Sequence, residues 1–248
     1  MGGLASVPRV LWRVLRLVLH VLHGVAVMAL RFTSLSVAGR QARIQWWSAG
    51  LLRAVGVGLQ VRGVPRPGAT LLVANHVSWL DIAALHAAVP QARFVSKADV
   101  RHWPLLGWLV AGAGTLFIER ERKRDALRVV HAMAEALRAG ETVAVFPEGT
   151  TGPGPELLPF HANLLQAAIA TATPVQPAVL RFADAQQRFS PAVQFVGDTT
   201  LLQSLWRVAS ARGLVAHVDL LPPQGSAHAD RRALAEHLRQ GMAARLAA

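Results

Sequence analysis

Apolar positions change their rhythm near residue 65, and that change divides the chain. Before it, Arg9-Val10-Leu11-Trp12-Arg13-Val14-Leu15-Arg16 leads into an apolar run from Leu17 to Leu30 that only His20 and His23 interrupt with polar groups. The run falls short of the ~20 residues that cross a bilayer as a straight helix. Counting from Val10 reaches spanning length, but Arg13 and Arg16 must then snorkel to the interface. A second helix is expected around Ile44-Gln45-Trp46-Trp47-Ser48-Ala49-Gly50-Leu51-Leu52-Arg53, whose adjacent tryptophans suit a membrane surface. Three readings stay open: a pair of helices lying in the interface, one spanning helix, or ordinary packed helices. A cleavable signal peptide fits poorly, because Arg31-Phe32 follows the run where a small-residue cleavage site would stand.

After the turn Pro65-Arg66-Pro67-Gly68, short apolar runs alternate with helical periodicity. Strands are expected at 70–74, 93–96, 114–118, 142–146, 175–180, 192–196 and 214–220, and helices at 79–88, 124–138, 161–171 and 229–246. Interleaved strands and helices indicate an α/β architecture, a central sheet with helices on its faces. The organisation is therefore an N-terminal membrane-associated helical segment over 1–62 and an α/β domain over 63–248.

Hydrophobic residues make up 52% of the 248 residues, high for a soluble enzyme and modest for a polytopic membrane protein. The net charge of +12, from 26 Lys and Arg against 14 Asp and Glu, points to anionic partners. The arginines are scattered among Leu, Val and Trp without a dense basic tail or an RNP-like motif, so an anionic membrane is favoured and nucleic acid is not expected. With 0 Cys, disulfides, thiolate catalysis and Cys-ligated zinc are excluded.

Candidate chemistry gathers at strand ends. Asn75-His76-Val77-Ser78-Trp79-Leu80-Asp81 follows the strand Thr70–Ala74 and offers a general base, His76, with a carboxylate five positions on. Five residues of helix turn about 140° past a full circle, so the two side chains meet only if His76 precedes the helix and Asp81 lies in its first turn. Ser78-x-x-Asp81 reads as a capping box, which places them so; it also offers Asp81 a purely structural role as a cap. Arg120, after the run Gly114–Ile118, could grip a phosphate or simply be solvated within the charged stretch 119–124. Phe146-Pro147-Glu148-Gly149-Thr150-Thr151-Gly152-Pro153-Gly154 brings a carboxylate and exposed backbone N–H groups to another strand end, without the Gly-Lys-Ser/Thr of a Walker loop.

These blocks, with Thr173-Pro174-Val175-Gln176-Pro177, occur in an order that resembles the glycerol-3-phosphate and 1-acylglycerol-3-phosphate acyltransferases, the lysophospholipid acyltransferase family. Val95-Ser96-Lys97 and Trp103-Pro104-Leu105-Leu106-Gly107 look like the family's intervening segment, and the resemblance covers roughly 70–180. It implies a mixed central sheet flanked by helices and transfer of a fatty acyl group from acyl-CoA or acyl-acyl carrier protein to a free hydroxyl, with no cofactor and no metal. His76 and Asp81 would be catalytic; Arg120, Glu148, Gly149, Thr150, Thr151, Lys97 and Asn75 would bind substrate. It also implies membrane lipids as partners and a place at the cytoplasmic membrane, with the catalytic domain on the cytoplasmic side. Two departures bear on the acceptor. Thr151 stands where many members carry Arg, and His161 follows Pro159-Phe160 where Lys is common. The implied acceptor is 1-acylglycerol-3-phosphate; lyso-ornithine lipid, whose acyltransferases share the Glu-Gly-Thr-Thr pattern, is the alternative. A non-catalytic basic membrane-binding protein is the reading from a different class.

Overall fold

The computed structural model describes residues 7–97, 106–118 and 123–248. Seven strands form one mixed sheet. They are β1 (Val57–Arg62), β2 (Thr70–Ala74), β3 (Ala92–Lys97), β4 (Leu116–Ile118), β5 (Thr142–Val145), β6 (Val175–Ala183) and β7 (Leu214–Leu220), in the order β1-β7-β6-β2-β5-β3-β4. Every pairing is parallel except β6–β7. β2 is buried at all five positions, as expected for a parallel strand covered on both faces.

The described helices are α1 (Val7–Leu30), α2 (Val37–Val55), α3 (Leu80–Ala88), α4 (Leu106–Gly112), α5 (Lys123–Arg138), α6 (Gln166–Ala170), α7 (Leu201–Ser210) and α8 (Arg231–Ala247). On one sheet face α2, α3 and α7 bury Leu52, Leu80, Leu85 and Val208 against Leu72, Leu180 and Ala216. On the other, α5, α6 and α8 bury Met133, Leu137, Ala167 and Leu238 against Leu71, Val73 and Val143. Strand alternation thus sends neighbouring residues of β2 into two separate cores.

Several expected elements differ. Residues 192–196 form no strand: Ser190 caps a 3-10 turn over Pro191–Val193, its hydroxyl accepting from the Ala192 N–H, and Val193 is buried beneath it. Proline at the start of that turn fixes φ and removes a ladder donor. The expected helix at 161–171 is a 3-10 turn, Ala162–Leu165, running into the short α6. Three elements were not anticipated: β1, α4 and α7. Residues 57–62, at the end of the expected N-terminal segment, form the edge strand β1 along β7. Its alternation of Val57, Leu59 and Val61 with Gly58, Gln60 and Arg62 is a half-buried strand pattern present in the sequence.

α1 is docked along its whole length. The Arg9 and Arg13 guanidinium groups donate to the carbonyls of Ser210 (3.2 Å), Ala209 (3.0 Å) and Ala211 (2.6 Å), capping the C-terminal end of α7. Midway, His20 Nε2 bonds the Trp47 carbonyl at 2.8 Å, and the two rings stack. Gly24 and Gly112 are contact points, since a Cβ would come within 2.3 Å of the Trp47 ring and 2.2 Å of Met28. Leu11, Trp12, Leu15, Val18, Leu19 and Leu22 project from the other side into solvent.

Candidate active site

Parallel strands β2, β5 and β6 end side by side, and the strand order turns back at β2, the place where open α/β sheets bind ligands. His76 leaves β2 two residues past its end and precedes α3, whose first turn holds Asp81. Asp81 is fully buried, and its Oδ2 accepts from His76 Nδ1 (2.8 Å), the Val77 N–H (2.6 Å) and the Ser78 N–H (2.9 Å). The Ser78 bond is the reciprocal half of the expected capping box. The other half is absent: Asp81 N–H bonds the Ser78 carbonyl, and Ser78 Oγ accepts at 3.4 Å from Leu80. Asp81 Oδ1 is buried and has no partner among the described residues. One oxygen therefore carries three donors, which fixes the carboxylate while it holds Nδ1–H of the imidazole. Nε2 is left as the basic nitrogen, on a side chain 20% exposed.

The Phe146–Gly154 turn completes the cradle. Glu148 Oε1 accepts the His76 N–H at 2.8 Å, and Gly152 N–H donates to the His76 carbonyl at 2.7 Å, so the main chain of His76 is gripped from both sides. Glu148 Oε2 accepts from Leu158 N–H at 2.8 Å. Burial pushes the Glu148 carboxyl up, opposed by these two backbone donors and by His76. Both of its oxygens are committed to backbone. Glu148 thereby braces the main chain of His76 and ties it to Leu158.

The remaining expected residues separate. Asn75 is buried, and its amide bonds both backbone groups of Leu180, accepting at 2.7 Å and donating at 2.9 Å. It stitches β2 to β6. Thr151 Oγ1 donates to the Phe195 carbonyl and so ties the turn to the 191–196 segment. Gly149 and Thr150 are exposed at the mouth of the cradle. Gly149 has φ +72°, where a Cβ would meet the His161 ring at 2.9 Å. His161 thereby lies at the rim. Lys97 ends β3, on the far side of β5 from β2, and its side chain is outside the described residues, as is Arg120. Among the described residues no cluster of His, Asp and Glu could hold a metal ion.

Phe146 was not anticipated as a site residue. Its ring stacks on the His76 imidazole at 4.1 Å between centroids and 16° between planes, and Phe94 stacks behind it at 5.7 Å. With Asp81 at one edge and Phe146 on one face, the imidazole keeps one open edge. An aromatic at the end of a buried strand, just before Pro147-Glu148, is the only trace of this in the sequence.

Comparison with known proteins identifies relatives of this chain. A family model described as Acyltransferase matches residues 59–181. A lyso-ornithine lipid O-acyltransferase of Pseudomonas aeruginosa is 40% identical over 205 residues, covering 82% of this chain and 78% of that protein. A 1-acyl-sn-glycerol-3-phosphate acyltransferase of Neisseria meningitidis is 37% identical over 198 residues, covering 79% and 77%. In fold, the chain superposes on the crystal structure of a 1-acyl-sn-glycerophosphate acyltransferase of Thermotoga maritima with a TM-score of 0.73 at 18% identity, covering 100% and 98%.

Proposed function

The chain belongs to the acyltransferase family, and on that premise we propose that it moves a fatty acyl group from a thioester donor, acyl-CoA or acyl-acyl carrier protein, to the free hydroxyl of a lysolipid. The observation that carries this reading is the Asp81-held imidazole with its Nε2 open. His76 Nε2 takes the hydroxyl proton as that oxygen attacks the thioester carbonyl. The C–S bond breaks, the ester C–O bond forms, and the proton passes to the departing thiolate. Asp81 stabilises the imidazolium formed on the way, and Phe146 lies against its face. Transfer is direct from donor to acceptor.

The leading acceptor is 1-acylglycerol-3-phosphate, with Arg120 as its phosphate partner. A second reading, lyso-ornithine lipid, is favoured by the two positions that lack a cation. Thr151 spends its hydroxyl on the Phe195 carbonyl, and His161 sits at the rim beside Gly149. Each missing charge-assisted contact weakens phosphate binding by about 1.5–3 kcal/mol.

The exposed apolar face of α1 supports a site at a membrane. By length and hydropathy it could cross one. Its contacts with α7 at residues 9 and 13, with Trp47 at His20 and with Gly112 at Met28 instead leave one long face outward, and that face is apolar. A helix so docked lies in the bilayer surface. The proposed location is the cytoplasmic membrane, catalytic domain on the cytoplasmic side.

The test is acyl transfer from a labelled thioester to a panel of lysolipids, with His76→Ala alongside. Product on lysophosphatidate that disappears in the variant supports the leading reading. Product only on lyso-ornithine lipid selects the second. Folded protein without product on any acceptor, with both donors supplied, refutes the reaction.

A further inference from the structure

Among the described residues, the sheet carries a cationic area away from α1. β1, β7 and the end of β6 send Val57, Leu214, Ala216, Leu180 and Phe182 into the core beneath α2, α3 and α7. By strand alternation, Arg62, His217, Asp219 and Arg181 stand on the opposite face, the side of α8. Arg62 is exposed at the edge. Arg245 from α8 bonds Asp219 at 2.8 Å, and exposed Arg188 crosses from the loop after β6 to the Leu246 carbonyl at 2.6 Å. The only other carboxylate in that loop, Asp184, is spent on the N–H groups of Gln186 and Gln187. Four arginines and a histidine thus share one accessible carboxylate. Their crowding is felt: burial and then Arg188 lower the Arg181 guanidinium, and burial and then Arg181 lower the His217 imidazole.

Register fixes the height of this patch. Ala74 pairs with Ala178, and Val179 pairs with Asp219, which faces Arg62. Arg62 is therefore about one residue, ~3 Å, beyond the end of β2, and Arg181 about 10 Å beyond it. Both lie at the end of the sheet where His76 sits. The patch crosses three strands, roughly 10 Å, before the reach of the Arg side chains is added. That is broader than one phosphate needs and suits a helix studded with carboxylates. A bilayer holding the apolar stripe of α1 meets the molecule from the α1, α2 and α7 side, which leaves this face to a soluble partner.

We propose that the α8-side face of β1–β7–β6, centred on Arg62 and Arg181, docks an acidic carrier protein that bears the acyl chain as a thioester. This rests on the reaction proposed above and selects one of its two donors. The full-length protein on neutral phosphatidylcholine vesicles is titrated with fluorescent acyl carrier protein, and steady-state rates are taken with acyl-carrier protein and with acyl-CoA. The variants are R62E, at an exposed edge position, and R62E/R181E, each checked for folding by circular dichroism. Carrier binding should weaken at least tenfold in R62E and further in the double variant. KM for acyl-carrier protein should rise in parallel, with kcat and the KM for acyl-CoA unchanged.

The proposal is overturned if the parent does not bind the carrier, or if R62E binds it as well as the parent does. It is also overturned if the reversal raises the acyl-CoA KM equally, or if it only releases the protein from anionic vesicles. Carrier binding that R62E abolishes, with no turnover of either donor, would leave the docking face standing and refute the proposed reaction instead.

Discussion

Replacing Asp81 by Asn tests the centre of the site with almost no change in shape. One oxygen, Oδ2, takes all three donors, from His76 Nδ1, Val77 N–H and Ser78 N–H, and Oδ1 takes none. If the Asn carbonyl occupies the Oδ2 position, each bond falls from a charge-assisted ~1.5–3 kcal/mol towards a neutral ~0.5–1.5, a loss of about 3 kcal/mol in all. Its NH2 then lies where Oδ1 was, without an acceptor, which adds about 1–3 kcal/mol. The reverse orientation would break all three bonds, so it is disfavoured. A loss of about 4–6 kcal/mol is a large part of the 5–15 kcal/mol typical of a folded domain, and unfolding must be measured alongside activity. The chemical loss is separate. Without the carboxylate the imidazolium has no counter-charge, and kcat should fall by ~10⁴, the scale seen where a triad Asp becomes Asn. Thiol release from the donor, read with a disulfide dye, gives the rate cleanly because the chain has 0 Cys. Rates are divided by the folded fraction from urea titration. A folded Asp81→Asn protein within tenfold of the parent kcat would refute the catalytic assignment and leave Asp81 as a cap alone.

Further outcomes can be stated from the same geometry. Asn75→Ala strands the buried N–H and C=O of Leu180, so urea unfolding should show a loss of about 2–5 kcal/mol. The folded variant should keep kcat within tenfold if the Asn75 amide serves only the Leu180 backbone. His86 is buried and donates to the Ala92 carbonyl, and burial lowers its pKa to about 4. Above pH 6.5 the histidine is neutral whether folded or not. As pH falls towards 4, the unfolded chain binds a proton that the fold refuses, so stability is lost over that window. At pH 5 the parent should have lost about 2 kcal/mol relative to pH 7.5, and His86→Gln, compared by urea titration at both values, should not show that part. Leu15→Glu with Leu22→Glu on the outward side of α1 should release the protein from vesicles in high salt, whereas the parent stays, because apolar burial is not screened.

Much of this was legible along the chain. Apolar runs located β2, β3, β5, β6 and β7, and the five-residue spacing of His76 and Asp81 was enough to require a strand end followed by a helix start. The signals that failed were local ones with two outcomes. Val193 sits in an apolar run, but Ser190-Pro191 turns it into a 3-10 segment packed beneath the site. Val57-Gly58-Leu59-Gln60-Val61-Arg62 alternates like a strand, but whether it is paired depends on β7, more than 150 residues away. The resemblance implied that Asn75 and Glu148 bind substrate. Their partners, Leu180, His76 and Leu158, are backbone groups brought in from other segments, and no side-chain pattern marks them.

The sequence by itself offered a base and a carboxylate at a spacing that lets them meet, and it excluded cysteine chemistry, since these are properties of residue type and order. Only the tertiary structure decided what each polar group is free to do. Asn75 and Glu148 engage backbone groups brought in from other segments, and α1 is docked from Arg9 to Met28. Both depend on contacts between positions far apart in the chain, which exist only once the sheet has assembled.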